Sequence, residues 1–246
     1  MKQVIAAIAA IVISLGLYMM NQQPFHGNIV LVGPPGSGKG TLATQLSDYT
    51  DLPVLTVSTV LKKAMQNDEA LANEVKALMD QGKFVSDETI DRVLAQELSD
   101  QKYKNGVIFD GFPRTLAQTA FFRNNQMEVD IVIILEANDE TIVERMAGRR
   151  VHLDSGRMYH IINNPPKVAG KDDVTGEALS QRPDDEPEIV RRRLADYHAL
   201  TKPVIEWAKD ELEPEGVVKK VLFVDGTQQI DVVWETVKES LTNAQS

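Results

Sequence analysis

The sequence predicts an α/β fold: a parallel five-stranded sheet with helices on both faces and a small β-rich insertion. Three observations carry that expectation. Five short apolar runs, mostly without alternation, have the character of strands buried on both faces. Helical patterns fill the gaps between them, and strands alternating with helices imply a parallel sheet covered on both sides. Residues 148–185 break the alternation, with turn signals at Asp154-Ser155-Gly156, Asn164-Pro165-Pro166 and Thr175-Gly176 and no clear core face.

In chain order, the first strand is expected at 29–32, followed by a glycine-rich turn and a helix at 41–49. A second strand is expected at 54–57, then helices at 69–80 and 87–99. A strand at 107–109 leads to a helix at 116–124, and a strand at 131–135 to a helix at 139–147. The insertion follows, of a length that in a compact domain is usually functional or disordered. After it, Asp184, Asp185 and Glu186 precede Pro187, a proline suited to a first helical position, so a helix is expected over 187–210. A strand at 221–224 and a helix at 230–241 complete the pattern.

The turn after the first strand reads GPPGSGKGT, Gly33 to Thr41. Glycine lets successive peptide N–H groups turn inward and lets the main chain approach a ligand closely. A strand, a Gly-rich turn and a helix make a concave ring of donors with a helix N-terminus behind it, an arrangement that binds phosphate. Gly33, Gly38 and Lys39 meet the pattern G-x-x-x-x-G-K in that context, and Lys39 adds a cation for the outer phosphates. The Ser/Thr of the general pattern is Gly40 here, and the hydroxyl comes one place later, at Thr41.

Composition bounds the rest. A net charge of −10 and a pI near 4.9 argue against general nucleic-acid binding, which wants a basic face. With no cysteine there are no disulfides and no thiolate metal site. A hydrophobic fraction of 43% with 25% charge is that of a folded domain, and the length suits one globular core with appendages. Residues 3–20 form an 18-residue run without charge, long enough to cross a membrane at the short end of the range. The run reads as a retained anchor, as a cleaved signal with its apolar region at 4–13, or as a buried apolar helix. Lys2 ahead of it favours an N-inside arrangement, which would put the domain outside the cytoplasm, whereas the phosphate chemistry of the glycine turn calls for a cytoplasmic or cytoplasm-facing domain.

Eight of the eleven arginines lie between 145 and 193: Arg145, Arg149, Arg150, Arg157, Arg182, Arg191, Arg192 and Arg193. Alone, the triple at 191–193 reads as a solvated helix face, and its members point in different directions. Guanidinium groups bind phosphate bidentately and stay charged, so an arginine-bearing flap beside a phosphate loop suggests phosphoryl transfer under a lid. A second constellation is VIFDGFPRT, Val107 to Thr115. Asp110 ends a predicted strand, where α/β sheets gather ligands, so it suits Mg²⁺ through water or caps the turn. Arg114 lies four residues on, within reach of a phosphate.

GPPGSGKGT, DGFPRT and the insertion GRRVHLDSGRMYHIINNPPKVAGKDDVTGEALSQRPDD together resemble adenylate kinase in its long-lid bacterial form. The resemblance covers about 28–241, and the family's shifted Gly-Thr after the lysine matches Gly40-Thr41. It implies a P-loop kinase core, a helical monophosphate-binding flap at about 58–85, a lid at 148–185, and the reaction ATP + AMP ⇌ 2 ADP with Mg²⁺, for which Asp110, through water, is the expected partner. It implies that Gly36, Ser37, Gly38, Lys39, Gly40 and Thr41 wrap the ATP phosphates. Arg145, Arg149, Met158, Tyr159 and Gln228 then line the rest of the ATP site. For AMP the matching positions are Thr59, Lys62, Lys83, Phe84, Val85, Gly111, Phe112, Pro113, Arg114 and Gln118, with Arg182 and Arg193 bridging both nucleotides. Lys39, Arg114, Arg149, Arg182 and Arg193 form the catalytic set that neutralises the transferring group. Where some bacterial lids hold zinc on four cysteines, the corners here are His152, Ser155, Asp172 and Thr175, expected as a hydrogen-bonded polar cluster without zinc. ATP and AMP are the expected partners, with a membrane tether through 3–20, no nucleic acid, and a monomeric state.

Two departures stand out. Before the flap the family's Ser-Thr-Gly-Asp-x-Leu-Arg reads Ser58-Thr59-Val60-Leu61-Lys62, so the Gly-Asp pair is missing and Lys62 or Lys63 replaces the arginine. Lysine does not make the bidentate fork to phosphate. Pro183 after Arg182 stiffens the lid's return. The alternative functions are a kinase of UMP, CMP or GMP, and a membrane-tethered nucleotide-binding protein that has lost transfer.

Overall fold

The computed structural model describes residues 25–80, 85–212 and 214–244. Residues 3–20, Lys83 and Phe84 lie outside the described residues. Among the described residues no helix is long and apolar enough to cross a membrane.

The strands are β1 (Ile29–Val32), β2 (Val54–Leu55), β3 (Ile108–Asp110), β4 (Ile131–Glu136), β5 (Arg149–Val151), β6 (Met158–His160) and β7 (Val221–Asp225). Five of them form one parallel sheet in the order β2-β3-β1-β4-β7, and β5 pairs antiparallel with β6. The helices are α1 (Lys39–Thr50), α2 (Val57–Asn67), α3 (Glu69–Asp80), α4 (Asp87–Leu98), α5 (Leu116–Asn124), α6 (Asp139–Gly148), α7 (Pro187–Asp196), α8 (Pro203–Asp210) and α9 (Ile230–Ala244).

Side chains alternate across a strand, and here both faces are covered. Ile29, Leu31, Ile131, Ile133 and Leu135 pack with Leu42 and Leu46 of α1 and Val233 and Val237 of α9. Val30, Val32, Val132 and Ile134 pack on the opposite face with residues of α4, α5 and α8. All nine strand residues are at most 2% exposed, so these runs are apolar throughout rather than alternating. Burying a side chain of that size stabilises by about 1.5–3 kcal/mol. Phe109, Phe112, Phe121 and Phe122 form a ring cluster beneath the turn that follows β3, with centroids 5.4–6.0 Å apart.

Register then places the site. Leu31 of β1 pairs with Asp110 of β3, so the glycine turn after β1 and the carboxyl end of β3 lie side by side. That is where open α/β sheets bind ligands.

Two elements differ from expectation. The strand expected over 54–57 ends at Leu55, because the Thr56 side chain accepts the Thr59 N–H at 3.3 Å and starts α2. A hydroxyl cap within a β-prone run decides for the helix. The helix expected over 187–210 is interrupted. Pro203 has no N–H for the carbonyl of Ala199, and the chain widens into a π turn over Tyr197–Thr201, with the Lys202 N–H donating to the Tyr197 carbonyl at 2.8 Å. Regular β structure in the insertion is limited to β5, β6 and isolated bridges joining Val151 to Ser180, His160 to Asn164 and Lys171 to Ala178. Val60 of α2 and Leu71 and Val75 of α3 share a core with Val93 of α4, which docks these two helices onto the sheet domain.

Candidate active site

The phosphate loop is shaped by two glycines with positive φ, Gly36 at +82° and Gly38 at +99°. A Cβ on Gly36 would stand 2.7 Å from the Met146 sulfur, so any other residue would have to displace that buried side chain and adopt a strained positive φ. The first backbone bond of α1 runs from the Leu42 N–H to the Gly38 carbonyl, at 3.0 Å. The N–H groups of Lys39, Gly40 and Thr41 therefore have no carbonyl within the helix, and they form the donor end of an anion site. Ser37 is buried with its hydroxyl unpartnered among the described residues. Thr41 is exposed at the same helix end.

Four charged groups converge here. Lys39 Nζ donates to the carbonyls of Gly33 and Pro34, at 2.7 and 2.8 Å. Burial pushes its pKa down to about 8; the Asp110 carboxylate opposes that, and the Arg114 and Arg193 charges add to it. Burial raises Asp110, against the pull of Lys39 and Arg114. Desolvation in the cleft, then the Arg193 charge, lower Arg114, whose Nε donates to the Gly111 carbonyl at 2.9 Å. Lys39, Arg114 and Arg193 come from three separated parts of the chain; the charges of Arg114 and Arg193 act on Lys39, and that of Arg193 on Arg114.

The lid arginines are anchored at its base. Arg149 Nε donates to Asp185 Oδ2 at 2.9 Å and its Nη2 to Oδ1. Arg182 and Arg193 share Asp184, each at 3.0 Å. Burial alone would raise Asp184, but the Arg182 charge, and after it Arg193, outweigh burial and hold it low. Arg191 and Arg192 are exposed, so a single member of the triple reaches the cleft. Arg145 is held by the carbonyls of Gly226 and Thr227, the latter at 2.6 Å, and so ties the lid side of the cleft to the turn after β7.

The adenylate kinase family model matches residues 31–212 of the 246. The chain belongs to the adenylate kinase family. It is therefore a kinase of nucleoside monophosphates, of a family that uses Mg²⁺ with ATP.

Apart from Lys83 and Phe84, which lie outside the described residues, the remaining expected positions are placed as follows. Met158 is exposed on β6, while Tyr159 is buried and its hydroxyl donates to Asp172 Oδ1 at 2.9 Å. Gln228 Nε2 donates to Asp225 Oδ2 at 2.9 Å. Thr59 is exposed at the start of α2, and Val85 packs against the core. Phe112 and Pro113 are buried beside Gly111, which has φ +75°. Lys63 is ion-paired with Glu97 at 2.6 Å, whereas Lys62 is exposed and has no such pair among the described residues, so Lys62 is the uncommitted cation of the two.

Asp110 suits the magnesium that the family uses. Its Oδ2 lies 3.7 Å from where a Cβ on Gly40 would stand, at the mouth of the phosphate loop. Mg²⁺ is usually held by one or two carboxylates, water and substrate phosphates, and a single hard oxygen at this edge fits that donor set. Among the described residues no three His, Cys, Asp or Glu side chains gather to form a metal cage, and a metal carried in with a nucleotide needs none.

The four lid corners are joined by hydrogen bonds. His152 Nδ1 meets Ser155 Oγ at 2.7 Å, its Nε2 meets Thr175 Oγ1 at 3.4 Å, and Thr175 donates to Asp172 at 3.1 Å. Sequence reasoning missed the groups that complete this cluster: Glu177 on His152 at 2.6 Å, and the Arg157 fork on Asp172 at 2.7 and 2.8 Å. It also missed the arginine-holding role of Asp184 and Asp185, which served only as a helix-start signal, and the Asp87 bond to Gln118. The alternation of acids with the clustered arginines was the available clue.

Proposed function

We propose that this enzyme transfers a phosphoryl group reversibly between ATP and AMP, ATP + AMP ⇌ 2 ADP, in purine nucleotide homeostasis. The observation that carries the reading is the meeting of Lys39 and Arg114 beside Asp110, with Arg193 near enough for its charge to act on both, in front of a helix N-terminus. Direct transfer asks little acid–base chemistry of the protein; it asks for two nucleotides in line, neutralised charge and exclusion of water. The loop N–H groups and Lys39 hold the ATP phosphates. Arg114 and Gln118 lie on the monophosphate side, and Arg182 and Arg193 reach across the junction. When bound, Mg²⁺ at Asp110 supplies charge neutralisation of the phosphate oxygens.

The resting ion pairs fit this work. Asp184, Arg182 and Arg193 are each about a third to a half exposed, so their pairing is weak and a phosphate displaces it readily. Arg149 uses Nε and Nη2 on buried Asp185, which leaves Nη1 to meet a phosphate while the anchor stays intact. Closure of the 148–185 lid and the 58–85 flap then keeps water from accepting the phosphoryl group.

The test is ADP production from ATP with each of AMP, UMP, CMP and GMP. AMP is expected to give the highest kcat/KM. A preference for another monophosphate would replace the substrate, and no ADP from any of them would remove the activity.

A further inference from the structure

Gln118, on α5, is 6% exposed, and its amide is held at both ends. Its Oε1 accepts the Arg114 backbone N–H at 2.8 Å, and its Nε2 donates to Asp87 Oδ1 at 2.8 Å. Both partners are one-way: a backbone N–H only donates and a carboxylate only accepts. Turning the amide over would set Nε2 against the Arg114 N–H and Oε1 against the Asp87 carboxylate, with both hydrogen bonds lost. Each end of the amide keeps one further valence, the second hydrogen of Nε2 and the second lone pair of Oε1.

We infer that Asp87 is a positioning residue: by fixing which way the Gln118 amide faces, it makes the monophosphate site select amino-substituted over oxo-substituted bases. The inference rests on the reading that Gln118 meets the AMP base. Adenine presents its 6-amino donor beside a ring-nitrogen acceptor, and a fixed amide offering Oε1 beside Nε2–H matches that pair. In hypoxanthine the 6-oxo group is an acceptor and faces Oε1, acceptor against acceptor. Guanine and uracil carry the same oxo mismatch. A site whose buried polar groups are left unpaired by an analogue rejects it strongly. Asp87 also lies in the first turn of α4, where a carboxylate favours the helix. That role alone would affect AMP and IMP binding equally.

The experiment measures dissociation constants for AMP and IMP by calorimetry, and kcat and KM for AMP. It uses the full chain as wild type, Asp87→Asn and Gln118→Ala, with a thermal melt of each. An asparagine at 87 keeps the shape but can donate or accept, so the Arg114 N–H alone is left to favour one face of the amide. Asp87→Asn is expected to lower the IMP-to-AMP ratio of dissociation constants about fivefold or more, with the loss for AMP in KM rather than kcat. Gln118→Ala is expected to lower the ratio at least as much. An unchanged ratio in Gln118→Ala would remove the base contact and the inference with it. A lowered ratio there, with an unchanged ratio in Asp87→Asn, would overturn the positioning role and leave the base contact standing. Should Asp87→Asn melt too low to assay, Asp87→Ser is read by the same ratio.

Discussion

Arg149 and Asp185 are 36 positions apart and close the base of the lid insertion on itself. The guanidinium grips both carboxylate oxygens, and the Asp185 side chain is fully buried while that of Arg149 is 20% exposed. One residue directly follows α6 and the other shortly precedes α7, so the pair joins the chain entering the lid to the 3-10 turn that leaves it. Beneath it Ile142 and Met146 of α6 pack with Val190 and Leu194 of α7 in a small core of their own.

Removing one partner of a buried ion pair leaves the other uncompensated, at a cost of about 3–5 kcal/mol. Asp185→Ala is therefore expected to destabilise the protein by about 3 kcal/mol in urea unfolding. A change below about 1 kcal/mol would mean that the lid base is held by the α6–α7 core and not by the pair.

Much of this was legible beforehand, for particular reasons. The strand at 131–135 and the glycine turn show because burial on both faces and positive φ each restrict residue choice locally. The π turn at Tyr197–Thr201 was hidden because the periodicity on either side of Pro203 is helical and the register change leaves no mark. Partner choice was hidden too. Asp184 and Asp185 look alike in sequence, yet one takes two partly exposed arginines and the other, fully buried, takes one fork. Only the folded lid decides that.

The lid has its own acid-sensitive centre. Asp172 accepts from Arg157, Tyr159 and Thr175, and the Arg157 fork, ahead of the opposing effect of burial, holds its carboxyl well below the usual range. A carboxylate whose folded pKa is depressed contributes stability that is present above its unfolded pKa and lost as pH falls through the folded one. Protection of lid amides in hydrogen exchange is thus expected to fall as pH drops below about 4, while the sheet amides stay protected. Asp172→Asn should show the same local loss at neutral pH. Lid and sheet exchanging together would argue against a separately stabilised lid.

Lys39 carries a cost in the resting protein. Its lowered pKa means that the surrounding protein disfavours the charged amine before phosphate arrives. Lys39→Met, similar in volume and apolar, is expected to leave thermal stability unchanged or higher. Phosphoryl transfer should fall about a hundredfold or more. Near-normal turnover would take Lys39 out of the machinery, and a lower melting temperature would contradict the desolvation reading.

The same group links nucleotide binding to pH. With its folded pKa near 8, below the ordinary 10.5, Lys39 is neutral in the folded protein and charged in the unfolded one between those values. The unfolded state then binds the extra proton, so this group's contribution to stability rises with pH across that window. Bound phosphates reverse the shift, because an anion beside the amine favours its charged form. ATP binding above pH 8 is therefore expected to take up a proton, and affinity should weaken as pH rises further. Calorimetry at pH 8.5, in two buffers of different ionisation enthalpy, should show uptake of roughly half to three quarters of a proton by the wild type beyond that of Lys39→Met. Lys39→Met serves as the control because the nucleotide's own phosphates titrate equally in both proteins. Equal uptake by the two would place the shifted amine away from the bound phosphates and undo the assignment of Lys39 to them.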